Sequence, residues 1–183
     1  MKITRLASID ETDCAQLADI LKDCVEGGAS VSFMSPLPHA RAEAFWRSLN
    51  DSVVAGERAL LVARDEGGEW LGTVQLVLAQ PENQPHRADI AKLLVHRRGR
   101  RRGVGRALME AAETEAVAEG KSLLVLDTAT GSEAEQLYQR LGWQVTGQIP
   151  AYALWPQGGY CATTVLYKFV GNVQPLPEAG INP

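Results

Sequence analysis

The sequence predicts a single-domain α/β protein with a mixed, mostly antiparallel sheet of about seven strands. Three observations carry that expectation. Two apolar runs, Ala59 to Arg64 and Trp70 to Ala79, the second with Val74, Leu76 and Leu78 alternating with Gln75 and Val77, flank a Gly67-Gly68 turn as the arms of an antiparallel hairpin would. A short, nearly continuous apolar run, Ser122 to Asp127, follows the strand Ala88 to Val95 after a helix-period segment, the pattern of a parallel crossover. Finally, 183 residues with 45% hydrophobic and 22% charged side chains have the make-up of a globular domain, long enough to bury a core without metal or disulfide help.

Lys2 to Ala7 is expected as a short strand, after which Cys14, Leu17, Ala18, Leu21 and Val25 recur at helical spacing until Gly27 and Gly28 end the helix. Ala29 to Leu37 reads as a loop. Pro38 then opens a second helix with Ala42, Phe45, Trp46 and Leu49 on one face. Beyond the hairpin and the strand Ala88 to Val95, the residues Val104, Ala107, Leu108, Ala111 and Ala112 mark a helix that ends at Gly120, and Ser122 to Asp127 completes a central β-α-β unit. Ser132 caps a further helix running to Leu141, with Glu133 and Glu135 in its first turn and Gly142 as its stop. Trp143 to Ile149 and Cys161 to Val170 close the sheet. The domain spans 1–172, and the Pro- and Gly-bearing segment 173–183 is expected to be a loose tail.

The net charge of −4, from 22 acidic against 18 basic side chains, argues against a surface devoted to nucleic acid or to an anionic membrane. No apolar stretch approaches the ~20 residues of a membrane span, and the N-terminus lacks a signal-peptide core, so residence in the cytoplasm is expected. Cys14, Cys24 and Cys161 are an odd count and read as reduced thiols. His39, His86 and His96 are scattered without paired-ligand spacing, so no metal site is expected.

The sharpest local feature is the strand-to-helix junction from Val95 to Arg106, with six arginines in the ten residues from Arg97. The first amides of a helix have no intrahelical partner, and glycines let an anion approach them, so this junction is built to bind phosphate. Three readings compete. A nucleic-acid arm would interleave aromatics, and none is present. A dinucleotide fingerprint has Asp127 22 residues beyond Gly105, but Leu108 stands where its third glycine belongs and an antiparallel meander precedes it. The junction also lacks the Gly-Lys-Ser/Thr of a phosphate-transfer loop, which is therefore not among them.

The third reading fits best. Arg100-Arg101-Arg102-Gly103-Val104-Gly105 resembles the Arg/Gln-x-x-Gly-x-Gly/Ala signature of the GCN5-related N-acetyltransferases (GNAT superfamily), and Leu137-Tyr138-Gln139-Arg140-Leu141-Gly142-Trp143 resembles a second stretch of that family. Within the superfamily the chain looks like the tabtoxin-resistance acetyltransferases at Gly27 to Met34, Lys92 to Val95, Leu126-Asp127-Thr128 and Ile149 to Tyr152. It departs from them in two places: Asp89 stands where Glu is usual, and Arg101 replaces a common glycine.

The resemblance implies the GNAT fold, with its fourth and fifth strands splayed apart, and acetyl-CoA as co-substrate. The pyrophosphate would lie on Arg100, Arg101, Arg102, Gly103, Val104, Gly105 and Arg106, and the pantetheine arm along Leu93, Leu94 and Val95. The implied reaction is acetyl transfer to a primary amine of a small molecule, tabtoxinine-β-lactam or another amino-acid-like compound, by direct attack in a ternary complex. Tyr138 resembles the general acid, and Asp127 and Asp89 are candidate bases. Phe33, Met34, Trp46 and Tyr152 would wall the acceptor pocket. A homodimer is a further expectation, with neither nucleic acid nor membrane as a partner. Each residue has a plainer alternative: Asp127 as a turn residue with Thr128, Asp89 as a solvated neighbour of Lys92 or Arg87, Tyr138 as packing beside Leu137 and Leu141, Trp46 as core. Two other activities stay open, a module that holds acyl-CoA without turnover and an enzyme acting on peptide or protein amines.

Overall fold

The computed structural model describes residues 1–171. Its strands are β1 (Lys2–Leu6), β2 (Arg58–Arg64), β3 (Trp70–Val77), β4 (Arg87–Val95), β5 (Leu123–Ala129), β6 (Gln144–Leu154) and β7 (Tyr160–Phe169), and its helices are α1 (Glu11–Glu26), α2 (His39–Arg47), α3 (Asn50–Val54), α4 (Val104–Ala118) and α5 (Glu133–Arg140). The strands form one seven-stranded sheet in the order β1-β2-β3-β4-β5-β7-β6. Only the central β4–β5 pair is parallel: α4 carries the chain back between these two neighbours, whereas β5 and β6, joined through α5, are separated by β7. The tail expected at 173–183 lies outside the described residues.

Each face of the sheet carries its own core. Leu61, Val74, Leu76, Ile90, Leu124 and Leu126 pack with Leu108, Met109 and Ala112 of α4 on one side. On the other side Leu60, Val62 and Leu94 meet Leu17, Leu21 and Val25 of α1 and Trp46 of α2. The helix ends are where the side chains dictate. Asp10 accepts from the Asp13 amide and Asp13 returns the bond, a capping box at the head of α1. Ser132 accepts from the Glu135 amide at 3.1 Å at the head of α5, as expected.

Strand β4 departs from strict alternation. Ala88 and Ile90 face α4, yet Leu94, at the same parity, faces α1. The register with β3 explains it, for Gln75 pairs with Ala91 and Thr73 with Leu94, leaving two residues, Lys92 and Leu93, opposite one. Lys92 takes up the extra residue with φ +49°. The bulge flips the end of the strand, so Leu93 and Val95 pack toward α4 and Leu94 toward α1.

The elements at the rim differ from expectation in three places. The second helix stops at Arg47 and a separate single turn, α3, follows, its Asn50 side chain accepting from the Ile9 amide at 2.9 Å. Strand β6 runs past its expected end at Ile149 to Leu154, through a bulge with Ala151 at φ +51°. Strand β3 ends at Val77, before Ala79. Among the described residues no helix is long and apolar enough to cross a membrane, and Cys14, Cys24 and Cys161 are buried free thiols.

Candidate active site

Strands β4 and β5 pair only from Arg87–Leu123 to Asp89–Val125 and then part. The gap between them opens into a cleft of about 1040 Å³, walled by residues 90–95 of β4, Leu126 to Ala129 of β5, the end of α1 and the loop after it, the Gly99-to-Arg106 junction, and α5. A side pocket of about 300 Å³ shares Ser30, Ser32, Asp127 and Thr128 with the cleft and is closed by Phe33, Met34, Tyr152 and Leu154. The loop and the β6–β7 hairpin are tied over it: Ser35 N–H donates to Pro156 O at 2.9 Å and Ser30 Oγ to Leu154 O at 3.1 Å.

At the head of α4 the first amide bonded to the chain is that of Ala107, to Gly103 O at 3.0 Å. The amides of Val104, Gly105 and Arg106 before it meet no backbone acceptor among the described residues, and all three residues line the cleft. Gly103 caps the helix at φ +77°, a conformation that favours glycine. At Gly105 a Cβ would stand 3.1 Å from Leu137 Cδ2, so the missing side chain is what lets α4 approach α5.

The six arginines divide by task. Arg97 is held by the buried carboxylate of Asp23 through both its amide and its guanidinium, and Arg98 reaches Trp70 O at 3.1 Å and Asp19 at 3.2 Å. These two fix the junction to α1 and β3. Arg100, Arg101 and Arg106 line the cleft, Arg100 folding back so that its Nε donates to Val95 O at 3.4 Å. Arg102 points its side chain to Arg98 O at 3.3 Å and does not line the cleft, which corrects its expected side-chain role. Arg101 stands at φ +58°, the physical reason a glycine suits that position.

Tyr138 lines the cleft from α5, only 5% exposed, with its ring 6.0 Å from that of Trp143. Burial pushes its phenol well above the ordinary tyrosine range and the charge of Asp127 adds to the shift, so the hydroxyl keeps its proton at any physiological pH. Asp127 is exposed to the cleft at its junction with the side pocket. Leu93, Leu94 and Val95 form the opposite wall.

Two expected site residues lie elsewhere. Asp89 sits where β4 and β5 are still paired, its carboxylate held by Arg87 and by Gln80 Nε2 at 3.2 Å, and it lines neither cavity. Trp46 is 0% exposed in the core beneath α2, 5.0 Å from the Phe45 ring, and lines neither cavity. Phe33, Met34 and Tyr152 do meet in the side pocket.

Residues that the sequence did not single out complete the cleft. Trp155 reaches in from the β6–β7 turn, and Lys92 from the bulge. Cys24 also lines it, its Sγ 3.5 Å from Val95 O, but burial pushes the thiol up to about 11, so it is protonated and a poor acyl carrier at neutral pH. Among the described residues no three His, Cys, Asp or Glu side chains are grouped to hold a metal.

The family model described as the acetyltransferase (GNAT) family matches residues 16–143, well over half of the chain. The chain belongs to the GNAT acetyltransferase family. This GNAT chain is 28% identical over 162 residues to an uncharacterised N-acetyltransferase from the hisH-hisA intergenic region of Azospirillum brasilense, covering 86% of this chain and 94% of that protein. Its fold is similar to that of a ribosomal-protein-alanine N-acetyltransferase from Brucella melitensis, with a TM-score of 0.76 at 19% identity over 93% of this chain and 100% of that one. A phosphinothricin acetyltransferase from Sinorhizobium meliloti, solved with acetyl-CoA, also gives a TM-score of 0.76 at 19% identity over 100% and 97% of the two chains. At such identities the solved structures establish the fold alone.

Proposed function

We propose that this GNAT chain transfers the acetyl group of acetyl-CoA to the primary amine of a small, amino-acid-like molecule by direct attack within a ternary complex. The observation that carries this reading is that one cleft is lined by Asp127, where the side pocket joins it, by Tyr138, and by the three α4 residues whose amides are free. Acetyl-CoA supplies an activated thioester. The amides of Val104, Gly105 and Arg106, backed by Arg100 and Arg101, hold its diphosphate, and the unpaired edge of β4 from Leu93 to Val95 holds its arm.

Acetylation removes two protons from an acceptor ammonium. Asp127, directly or through water, takes the first and frees the nitrogen lone pair. The second leaves after the C–N bond forms, and Tyr138, which holds its hydrogen firmly, relays it to the departing sulfur. The protonated state of Cys24 favours this direct route over an acyl-thiol intermediate.

A side pocket of about 300 Å³ beneath the β6–β7 hairpin suits a small acceptor, as the phosphinothricin acetyltransferase likeness also suggests. The ribosomal-protein-alanine N-acetyltransferase likeness gives the alternative of a peptide amine, for which this covered pocket is less suited. A toxin of the tabtoxinine-β-lactam type is one acceptor within the proposed class. A homodimer belongs to the proposal too, supported by the exposed apolar residues Val145, Ile149 and Leu154 of the edge strand β6. An acetyl-CoA-dependent screen read by thiol release, covering amino acids, β-lactam amino acids, polyamines and peptides, tests the reading. Turnover of a small amine supports it; binding of acetyl-CoA with no turnover of any amine identifies a sensor module instead.

A further inference from the structure

Lys92 has no part in the proton transfers above, yet it is placed as deliberately as the residues that do. The bulge that interrupts β4 turns its side chain toward the α2 face, where Nζ donates to Ser32 Oγ at 3.1 Å and stands 5.9 Å from the centre of the Phe45 ring. Both ends of that hydrogen bond rest on left-handed backbone, Lys92 at φ +49° and Ser32 at φ +76°, a conformation unfavourable for either residue and found where a site demands it. Ser32 and Asp127 line the cleft and the side pocket alike, and Lys92 lines the cleft beside them.

The charges at this junction are unfinished. Among the described residues neither Lys92 nor Asp127 belongs to an ion pair within 4.0 Å. An ammonium carries three donors, and one neutral hydroxyl uses only one of them. Burial already pulls the Lys92 amine below its ordinary value, with Asp127 opposing and the nearby Arg58 adding to that fall. A partly buried cation so poorly matched is stabilised by an anion that arrives with a ligand.

We propose that Lys92 anchors an acid group of the acceptor, most simply a carboxylate, while Asp127 faces the acceptor's amine, so that the acceptor is an amino acid rather than a plain amine or polyamine. This rests on the reading of the cleft as an N-acetyltransferase site and narrows its substrate class. Lys92 is then a specificity-determining residue, with Ser32 holding it in place through the hydrogen bond.

The test compares matched acceptors that differ only by the carboxylate: phenylalanine with phenethylamine, methionine with 3-(methylthio)propylamine, lysine with cadaverine. Specificity constants come from thiol release at saturating acetyl-CoA, and binding comes from the thermal shift each acceptor gives the complex with free CoA. A charge-assisted bond predicts that the acid is favoured by about tenfold or more. In Lys92→Met and Lys92→Gln that ratio collapses toward one through a higher KM for the acid, and Lys92→Arg retains most of it. Acetyl-CoA affinity, measured on each variant by calorimetry, reports that the fold and the cofactor end are intact.

Wild-type protein that binds acetyl-CoA but favours no acid, in turnover or in the CoA complex, overturns the inference and leaves the N-acetyltransferase reading standing. So does an acid preference that survives in Lys92→Met. A variant that loses kcat equally on acids and amines assigns Lys92 to proton transfer and likewise overturns it. If the wild type binds no acetyl-CoA, the broader reading fails first.

Discussion

Replacing Tyr138 with Phe separates the chemistry of the site from its packing. The ring fills the core beside Trp143 while its hydroxyl takes part in no hydrogen bond among the described residues. Phe keeps the ring and removes only that oxygen, so stability at neutral pH should stay within about 0.5 kcal/mol of wild type. Turnover should behave otherwise, because a positioned acid contributes roughly 10²–10⁴-fold. The expected result is a fall of that order in kcat with little change in the Kd for acetyl-CoA. The alkaline limb of stability adds a second readout. The folded phenol titrates above its ordinary value of 10.0, so the unfolded chain loses this proton first as pH rises. Tyr138 therefore contributes stability that is complete below about pH 10 and declines above it. Urea melts between pH 8 and 11 should show a shallower alkaline decline for Tyr138→Phe than for wild type. Undiminished turnover in the variant would remove Tyr138 from the mechanism, and an unchanged alkaline limb would show that the phenol is not buried as described.

Three further substitutions test the placements on either side of it. Gly103→Ala forces a side chain into the left-handed cap of α4 and should cost about 1–2 kcal/mol in a urea melt, with weaker acetyl-CoA binding by calorimetry. Asp89→Asn should leave kcat within about threefold of wild type, since its carboxylate serves Arg87 and Gln80 rather than the cleft; a loss near that of a removed general base, about 10²-fold or more, would restore Asp89 to the mechanism. Trp46→Ala should lower stability by about 3–5 kcal/mol while the folded fraction keeps its acceptor KM, as expected of a core residue.

The sequence was most legible where local chemistry and tertiary packing agree. Ser132 caps α5 because a hydroxyl before acidic residues satisfies free amides wherever the helix lies, and Leu61, Val74 and Leu76 alternate because one face of β2 and β3 meets α4. The turn into α4 was legible for the same reason, since Gly103 supplies its left-handed cap and Gly105 leaves room for Leu137 of α5. What escaped were features set by distant partners. Lys92 reads as an interruption in an apolar strand until the register with β3 reveals a bulge. Asp89 and Asp127 look equivalent along the chain, but β4 and β5 part between them, leaving the first at the closed end and the second in the cleft. Trp46 and Phe33 are both aromatic residues near the expected acceptor loop, yet the helical stripe buries one and the loop presents the other to the side pocket. The different duties within the arginine run were also hidden, because Asp23 and Asp19, which hold Arg97 and Arg98, lie on α1 more than seventy residues away in sequence.

The most direct measurement of the central claim is an amide-resolved NMR titration of the ¹⁵N-labelled protein with acetyl-CoA. The account predicts that the largest shifts fall on Val104, Gly105 and Arg106, followed by Leu93 to Val95, as a diphosphate seats on the head of α4 and the arm lies along the open edge of β4. Saturable binding that leaves those six amides unmoved would contradict it.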